Sequence, residues 1–230
     1  MMNIFQNLLN LFLQSDCPLC QRPTARELCP YCTRQVQSCH QQNPAYLWKQ
    51  PLPIFVWGNY GGGVKRAIAA LKYKNQPQIG YLLGKWLGES WLLNSPQPQK
   101  QLLVVPIPMH PKKQKQRGFN QAALIAEGFC NVTGYKLKVN GLERIKETQA
   151  QFSLSAVQRQ ENLANAFVIG KDLCRPPNIP ILLVDDIYTT GATVKAAVKT
   201  LEINQIKVLG VAAVATTNKE KTKKNKAILD

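Results

Sequence analysis

The stretch that decides the fold is Ile181-Leu182-Leu183-Val184-Asp185-Asp186-Ile187-Tyr188-Thr189-Thr190-Gly191-Ala192-Thr193. Its first four residues are branched and apolar, a run typical of a strand covered on both faces in a parallel sheet. The pattern predicts that Asp185 and Asp186 follow at the carboxyl end of this strand, the edge at which open α/β sheets bind ligands. A loop of small residues then opens a helix. The stretch therefore predicts a buried strand, an acidic pair and a helix N-terminus in direct succession.

The same stretch favours a ligand that carries both a phosphate and a sugar diol. The first turn of a helix presents free backbone N–H groups to a phosphate. Carboxylates repel phosphate, but they accept hydrogen bonds from sugar hydroxyls. A buried strand followed by an Asp-capped turn would explain the apolar residues but not the two acids, three threonines and one glycine. We therefore expect a ribose 5-phosphate group here, with contacts from Asp185, Asp186, Ile187, Tyr188, Thr189, Thr190, Gly191, Ala192 and Thr193.

This segment resembles the 5-phosphoribosyl-1-pyrophosphate (PRPP) motif of type I phosphoribosyltransferases. The shared features are an apolar run, two acidic residues and Thr-Thr-Gly-x-Thr. The resemblance implies a phosphoribosyltransferase-like parallel sheet and a PRPP site that works with Mg²⁺. It also implies that Asp185 and Asp186 are the catalytic pair.

The length and the net charge of the chain limit the classes of protein to which it can belong. A chain of 230 residues fits one medium domain with a small module. The formal net charge of +16 favours polyanionic partners such as nucleic acid, pyrophosphate or an anionic membrane surface. No run of about 18 apolar residues is present, so no transmembrane segment is expected. The apolar stretch 3–13 lacks the features of a signal peptide, which predicts a packed amphipathic helix, with a membrane-surface role as the alternative, and a cytoplasmic location.

Four cysteines near the N-terminus form two Cys-Pro-x-Cys knuckles, and they are Cys17, Cys20, Cys29 and Cys32. Four thiolates arranged in this way suit a tetrahedral structural Zn²⁺, which has no open position for catalysis. Disulfides are the alternative. The odd total of seven cysteines and the missing export signal argue against them. The remaining cysteines, Cys39, Cys130 and Cys174, are read as ordinary thiols.

Apolar periodicity divides the rest of the chain into alternating strands and helices, which indicates an α/β fold. Strands are predicted over 54–60, 102–105, 136–142, 179–184 and 208–214. We assign 1–50 to an N-terminal helix and zinc module and 51–216 to a phosphoribosyltransferase-like domain. Residues 217–230 are assigned to a basic disordered tail, since five lysines and few apolar residues occur there.

Basic residues are concentrated between 101 and 160, where nine Lys or Arg face three Asp or Glu. A basic loop is predicted after the strand 102–105, at the same sheet edge as the acidic pair. Dispersed positive charge at that edge suits pyrophosphate or single-stranded DNA, whereas elsewhere it would be a solvated surface. The candidate contacts are Lys112, Lys113, Arg117, Arg144 and Arg159. His110 begins this segment, and an acid–base role for it stays open.

Over nearly its whole length the chain resembles the ComF family of phosphoribosyltransferase-like proteins associated with DNA uptake. The resemblance rests on the double Cys knuckle, Leu71-Lys72-Tyr73-Lys74, Val105-Pro106-Ile107-Pro108, Arg117-Gly118-Phe119-Asn120-Gln121, a polar group from Arg144 to Phe167, and the Asp-Asp motif. It implies a PRPP site and a link to incoming single-stranded DNA and to proteins of the competence machinery.

The resemblance leaves the reaction open. A phosphoribosyltransferase would displace pyrophosphate from C1 of PRPP, while a non-catalytic alternative is a nucleic-acid-binding module regulated by PRPP or a nucleotide. A third alternative is a nucleic-acid scaffold that acts through the zinc module and the basic face. Enzymes of this class that act on 6-oxopurines usually carry Asp where this chain has Thr189. A threonine cannot serve as a general base near pH 7, which argues against oxopurine salvage.

Overall fold

The computed structural model describes residues 15–146 and 166–218, in which strands and helices alternate along the chain. The strands are β1 (Ser15–Asp16), β2 (Pro23–Thr24), β3 (Ile54–Asn59), β4 (Leu103–Pro106), β5 (Lys136–Leu137), β6 (Leu142–Arg144), β7 (Phe167–Ile169), β8 (Ile181–Tyr188) and β9 (Val208–Thr216). The helices are α1 (Pro30–Gln37), α2 (Gly62–Tyr73), α3 (Gln78–Asn94), α4 (Pro111–Arg117), α5 (Gln121–Thr133) and α6 (Ala192–Ile203).

A five-stranded sheet in the order β3-β9-β8-β4-β5 forms the centre of the protein. Every neighbouring pair in it is parallel, which confirms the predicted α/β fold class. β8 is the middle strand, and its carboxyl end lies beside the ends of β4 and β9 because parallel strands end at the same edge. Two small antiparallel pairs, β1 with β2 and β6 with β7, lie outside this sheet.

The two faces of the sheet are covered by different elements. Leu182 and Val184 of β8 lie in a core shared with α2, α3 and α5. Ile181 and Leu183 lie in a second core shared with α6 and the β6–β7 pair. This alternation is the ordinary period of a pleated strand. The same alternation determines which helices and strands lie next to each acidic side chain further along β8.

The described part of the cysteine module packs into the first of these cores. Cys17, Cys29, Cys32, Leu28 and Val36 are buried in the same cluster as side chains of β3, α2 and α3. The domain boundaries at 50 and 216 stay predictions, as do the helix over 3–13 and most of the tail, which lie outside the described residues.

Three local predictions are corrected. β8 continues to Tyr188 instead of ending at residue 184, because its ladder with β9 extends to the pair Tyr188–Thr216. The strand expected over 136–142 stops at Leu137, since the chain turns at Asn140-Gly141 before β6 joins a separate sheet. The basic loop after β4 is the short helix α4.

Within the described ranges, no helix combines the length and the apolar character needed to cross a membrane.

Candidate phosphoribosyl site

The two acidic residues of β8 leave the strand on alternate sides near its carboxyl edge, where their carboxyl groups still interact with each other. Asp186 continues the alternation of Leu182 and Val184 and is buried on the side of α2. Asp185 continues the alternation of Ile181 and Leu183 toward the β6–β7 side. The backbone N–H of Asp186 donates to Asp185 Oδ1 at 2.8 Å, which ties the two groups together.

A lysine from α2 compensates Asp186. The Lys72 ammonium forms an ion pair with Asp186 Oδ2, and both side chains are largely buried, with 19% and 6% of their surfaces exposed. Lys72 lies in the last turn of α2, after Leu71, which is fully buried. α2 begins next to the edge strand β3, so it crosses the sheet to bring Lys72 to the central strand.

An arginine acts on Asp185 from the opposite side. Arg144 ends β6, and its guanidinium lies over the ring of Phe167 with the carbon Cζ 5.6 Å from the ring centroid. Burial lowers the pKa of Arg144, and the charge of Asp185 partly offsets that effect. Burial raises the pKa of Asp185 well above its ordinary value, and the neighbouring charge of Asp186 adds to this. The described acidic pair is therefore flanked by one cation on each face.

The loop after β8 turns directly into α6. Gly191 adopts a left-handed φ of 74° at the helix N-cap, and a Cβ there would stand 2.7 Å from the Tyr188 hydroxyl. Glycine is required both for the backbone conformation and for the space under the tyrosine ring. Thr189 and Thr190 are exposed, and the first turn of α6 contains no acidic residue. The N–H of Ala192 donates to Thr190 Oγ1 at 3.5 Å, and the following N–H groups of the first turn and the threonine hydroxyls can meet an anion.

The predicted basic residues separate into distinct places. Lys112, Lys113 and Arg117 lie on α4, a helix with no buried residue. Arg144 is instead partly buried beside Asp185, and Arg159 lies outside the described residues. His110 caps α4, with its Nδ1 accepting from the N–H of Lys112 at 3.3 Å, which gives this histidine a structural role.

Arg117 connects the basic helix to the acidic site. Its guanidinium lies 5.7 Å from the centroid of the Tyr73 ring and donates to Gln121 Oε1 at 2.6 Å. Tyr73 follows Lys72 and is 78% exposed, an unusual position for a large aromatic ring. The last turn of α2 therefore places a buried cation against Asp186 and an exposed aromatic ring against Arg117.

The four predicted zinc ligands meet in space. The Sγ atoms of Cys17, Cys20, Cys29 and Cys32 all lie within 4.8 Å of one another. A tetrahedron with Zn–S bonds of about 2.3 Å has edges of about 3.8 Å, so the thiols fit such an ion. Burial raises the pKa of Cys17, but backbone N–H donors including that of Cys29 outweigh it and lower this pKa to about 7. Burial and the neighbouring thiols raise the pKa of Cys32, so the four thiols need the charge of a cation to ionise together, and the cluster could hold a metal ion.

Several named proteins are similar in sequence to this chain over most of its length. Competence protein F of Haemophilus influenzae is 29% identical over 80% of this chain and 83% of its own. The DNA utilization protein YhgH of Salmonella typhimurium is 28% identical over 78% and 74%, and the competence protein ComFC of Bacillus subtilis is 25% identical over 80% and 70%. No family model matches the chain. These similarities support the resemblance of the chain to the ComF family.

Among solved structures, the chain is similar to two adenine phosphoribosyltransferases. The enzyme from Leishmania tarentolae gives a TM-score of 0.38 at 13% identity and covers 65% of this chain and 62% of that one. The enzyme from Leishmania donovani gives a TM-score of 0.38 at 11% identity and covers 80% and 67%. The chain thus spans just under two thirds of the first of these enzymes.

The sequence analysis missed the role of Lys72. The motif Leu71-Lys72-Tyr73-Lys74 was recognisable, but no contact was predicted for its first lysine. Periodicity could have found it, because Lys72 follows the buried Leu71 and stands four residues after the buried Ile68, so it lies close to the buried face of an amphipathic helix.

Proposed function

We propose that this protein binds PRPP with Mg²⁺ at Asp185, Asp186 and the loop 189–193, and that this binding serves DNA uptake. One observation carries the proposal. The acidic pair at the carboxyl edge of the central strand is joined by a short loop to the N-terminus of α6, whose first turn carries no acidic side chain. A ligand with a sugar diol at one end and a phosphate at the other suits this arrangement.

Different groups of the protein would bind different parts of the ligand. Backbone N–H groups of the first turn of α6 donate to the 5-phosphate, together with the hydroxyls of Thr189 and Thr190. The carboxylates accept hydrogen bonds from the ribose hydroxyls. When bound, Mg²⁺ would neutralise charge on the pyrophosphate, and carboxylate oxygens are ligands that it accepts. α4 follows the carboxyl end of β4, so its lysines are the groups that we propose for the remaining negative charge.

Turnover is a further element of the proposal. In a glycosyl transfer the bond between C1 of PRPP and its pyrophosphate breaks, and an acceptor nucleophile forms a new bond to C1. The positive charge that develops on the ribose ring is stabilised by Asp185 and Asp186. Thr189 cannot act as a base for an oxopurine near pH 7, because its hydroxyl does not ionise in that range.

A second candidate function is nucleic-acid binding without turnover, regulated by PRPP or a nucleotide. It is favoured by α4, where four cations and no acid lie on an exposed helix, and by the exposed Tyr73 beside Arg117. Cations release counterions from a phosphate backbone, and an exposed ring can stack on a base. Single-stranded DNA and proteins of the competence machinery are the partners that we propose for this surface.

We further propose that the four clustered cysteines bind a structural zinc ion. All four positions would be filled by thiolates, so the ion would brace the fold and take no part in the reaction. A cytoplasmic location follows from this assignment, since free thiolates persist in a reducing compartment.

Thermal unfolding with and without Mg²⁺ and PRPP tests the proposal, because a ligand that binds only the folded state raises its stability. We expect PRPP to raise the melting temperature of the wild type and the variant Asp185→Asn with Asp186→Asn to lose most of that increment. Asp16→Asn, which alters an exposed carboxylate on β1, is the control. Pyrophosphate release measured with and without single-stranded DNA then separates an enzyme from a binding module. If PRPP raises the melting temperature of the double variant as much as that of the wild type, the assignment of Asp185 and Asp186 to the site is wrong.

A further inference from the structure

The ion pair between Lys72 and Asp186 stands inside the proposed ligand site. Each member is largely withdrawn from water, so each charge depends on the other for compensation. Asp186 Oδ2 is buried and accepts no hydrogen bond of normal geometry from the described residues. The positive charge of Lys72 is therefore the main compensation that the described structure offers to this oxygen.

The packing of α2 places Lys72 beside Asp186. Ile68 and Leu71, one turn and one residue before Lys72, are fully buried and hold the end of the helix on the sheet. Lys74, two residues further, is exposed and forms no ion pair with any described residue. Two lysines of the same motif therefore differ in one respect that matters here, the contact with Asp186.

We propose that Lys72 is the internal counter-ion of Asp186 and takes the place of a divalent cation while the site is free of ligand. Arg144 and Lys72 face Asp185 and Asp186, so the described groups of the site carry no net negative charge even when both carboxyl groups are ionised. A divalent cation alone meets no net negative charge there and is repelled by the nearby Lys72 ammonium. Mg²⁺ therefore enters only with the pyrophosphate of its ligand, whose negative charge draws Lys72 away from Asp186.

Lys72 is on this account a positioning residue that sets the order of binding. The identity of the ligand rests on the proposed function, but the competition between Lys72 and a cation does not. Removing the positive charge of Lys72 leaves the Asp186 carboxylate without its counter-ion, and a divalent cation can then take that place.

The test is a titration with Mn²⁺ in the absence of PRPP, in which electron paramagnetic resonance measures the free ion. We expect weak binding by the wild type and at least about tenfold tighter binding by Lys72→Gln, because one positive charge next to the carboxylates is gone. Lys74→Gln removes the same charge from the exposed end of the helix and should stay within about twofold of the wild type. Adding Asp186→Asn to Lys72→Gln should return the affinity to the wild-type level.

Equal Mn²⁺ affinities for Lys72→Gln and Lys74→Gln would overturn the proposal. If Lys72→Gln fails to fold because Asp186 is left without compensation, the double variant with Asp186→Asn must fold, since no isolated buried charge remains. A double variant that also fails to fold would equally overturn it. If the wild type does not bind PRPP, the proposed function is wrong. The Mn²⁺ titration still decides whether Lys72 is the counter-ion of Asp186, because it is made without PRPP.

Discussion

Gly63 lies directly against the backbone of Gln35, so close that a Cβ added at Gly63 would stand 2.3 Å from the Gln35 carbonyl oxygen. Gly63 is in the first turn of α2, and Gln35 is in α1, the helix that also carries Cys32. The side chain of Arg66 donates to Gln35 Oε1 at the same contact. The cysteine module therefore touches, backbone to backbone, the helix that presents Lys72 to the acidic site.

Gly63→Ala is expected to loosen this contact. The added methyl group meets backbone atoms that cannot rotate away, and such overpacking costs about 1–3 kcal/mol. Denaturant unfolding should show the loss. Gly61→Ser is the matched control, since a Cβ at Gly61 meets no atom within 4 Å and serine is a favoured N-cap residue. Equal stability of the two variants would contradict the close contact.

Replacing Cys17 and Cys29 with Ser is expected to abolish metal binding. Metal analysis should find about one zinc ion per wild-type chain and none in the variant, because two of four thiolates are gone. Cys174→Ser alters an exposed cysteine outside the cluster and should keep the ion. If the double variant retains all of its zinc, the assignment of the four cysteines as zinc ligands is wrong.

Gly191→Ala is expected to weaken PRPP binding more than it weakens the fold. The backbone at Gly191 is left-handed, and the new Cβ would also collide with the Tyr188 ring, which shifts the first turn of α6. Gly134→Ala has nearly the same φ of 73° at the end of α5 but meets no atom within 4 Å. Both variants lose about 1–2 kcal/mol of stability from the backbone strain. Calorimetric titration with PRPP should show a loss of affinity in Gly191→Ala alone.

Lys112→Ala with Lys115→Ala is expected to weaken single-stranded DNA binding. Both lysines are exposed on α4, and losing two phosphate contacts should lower the slope of log affinity against log salt by about 1.4. Lys136→Ala with Lys207→Ala removes the same charge from the opposite edge of the sheet, where β5 and β9 begin. If both pairs reduce the affinity and slope equally, binding depends on net charge and α4 is not the DNA site.

Asp185→Asn is expected to stabilise the ligand-free protein near neutral pH. Burial, reinforced by the charge of Asp186, raises the pKa of Asp185 above its ordinary value of 3.8. The folded state therefore holds a proton that the unfolded state has released, and the stability that Asp185 contributes below pH about 3.8 is lost as pH rises through the folded pKa. Melting temperatures from pH 4 to pH 8 should fall more steeply for the wild type than for Asp185→Asn. Parallel curves would show that Asp185 is ionised throughout.

Much of the site could be predicted because its signals are local. The apolar run from Ile181 predicts a strand, the threonines and Gly191 predict the start of a helix, and the spacing of the cysteines predicts a cluster of four thiols that could hold a metal ion. Each of these depends on residues a few positions apart, for which backbone geometry and side-chain chemistry suffice.

The tertiary structure decided the partners of those residues. Pairing with β9 extends β8 through Asp185 and Asp186 and sends the two carboxylates to opposite faces, whereas the apolar run alone predicted an end at Val184. Lys72 reaches Asp186 only because α2 crosses the sheet, and Arg144 acts on Asp185 only because β6 pairs with β7 on the other face. The sequence by itself determined which chemical groups occur together along the chain. Which charge compensates which was decided by packing, because a contact between distant residues depends on the path of every element between them.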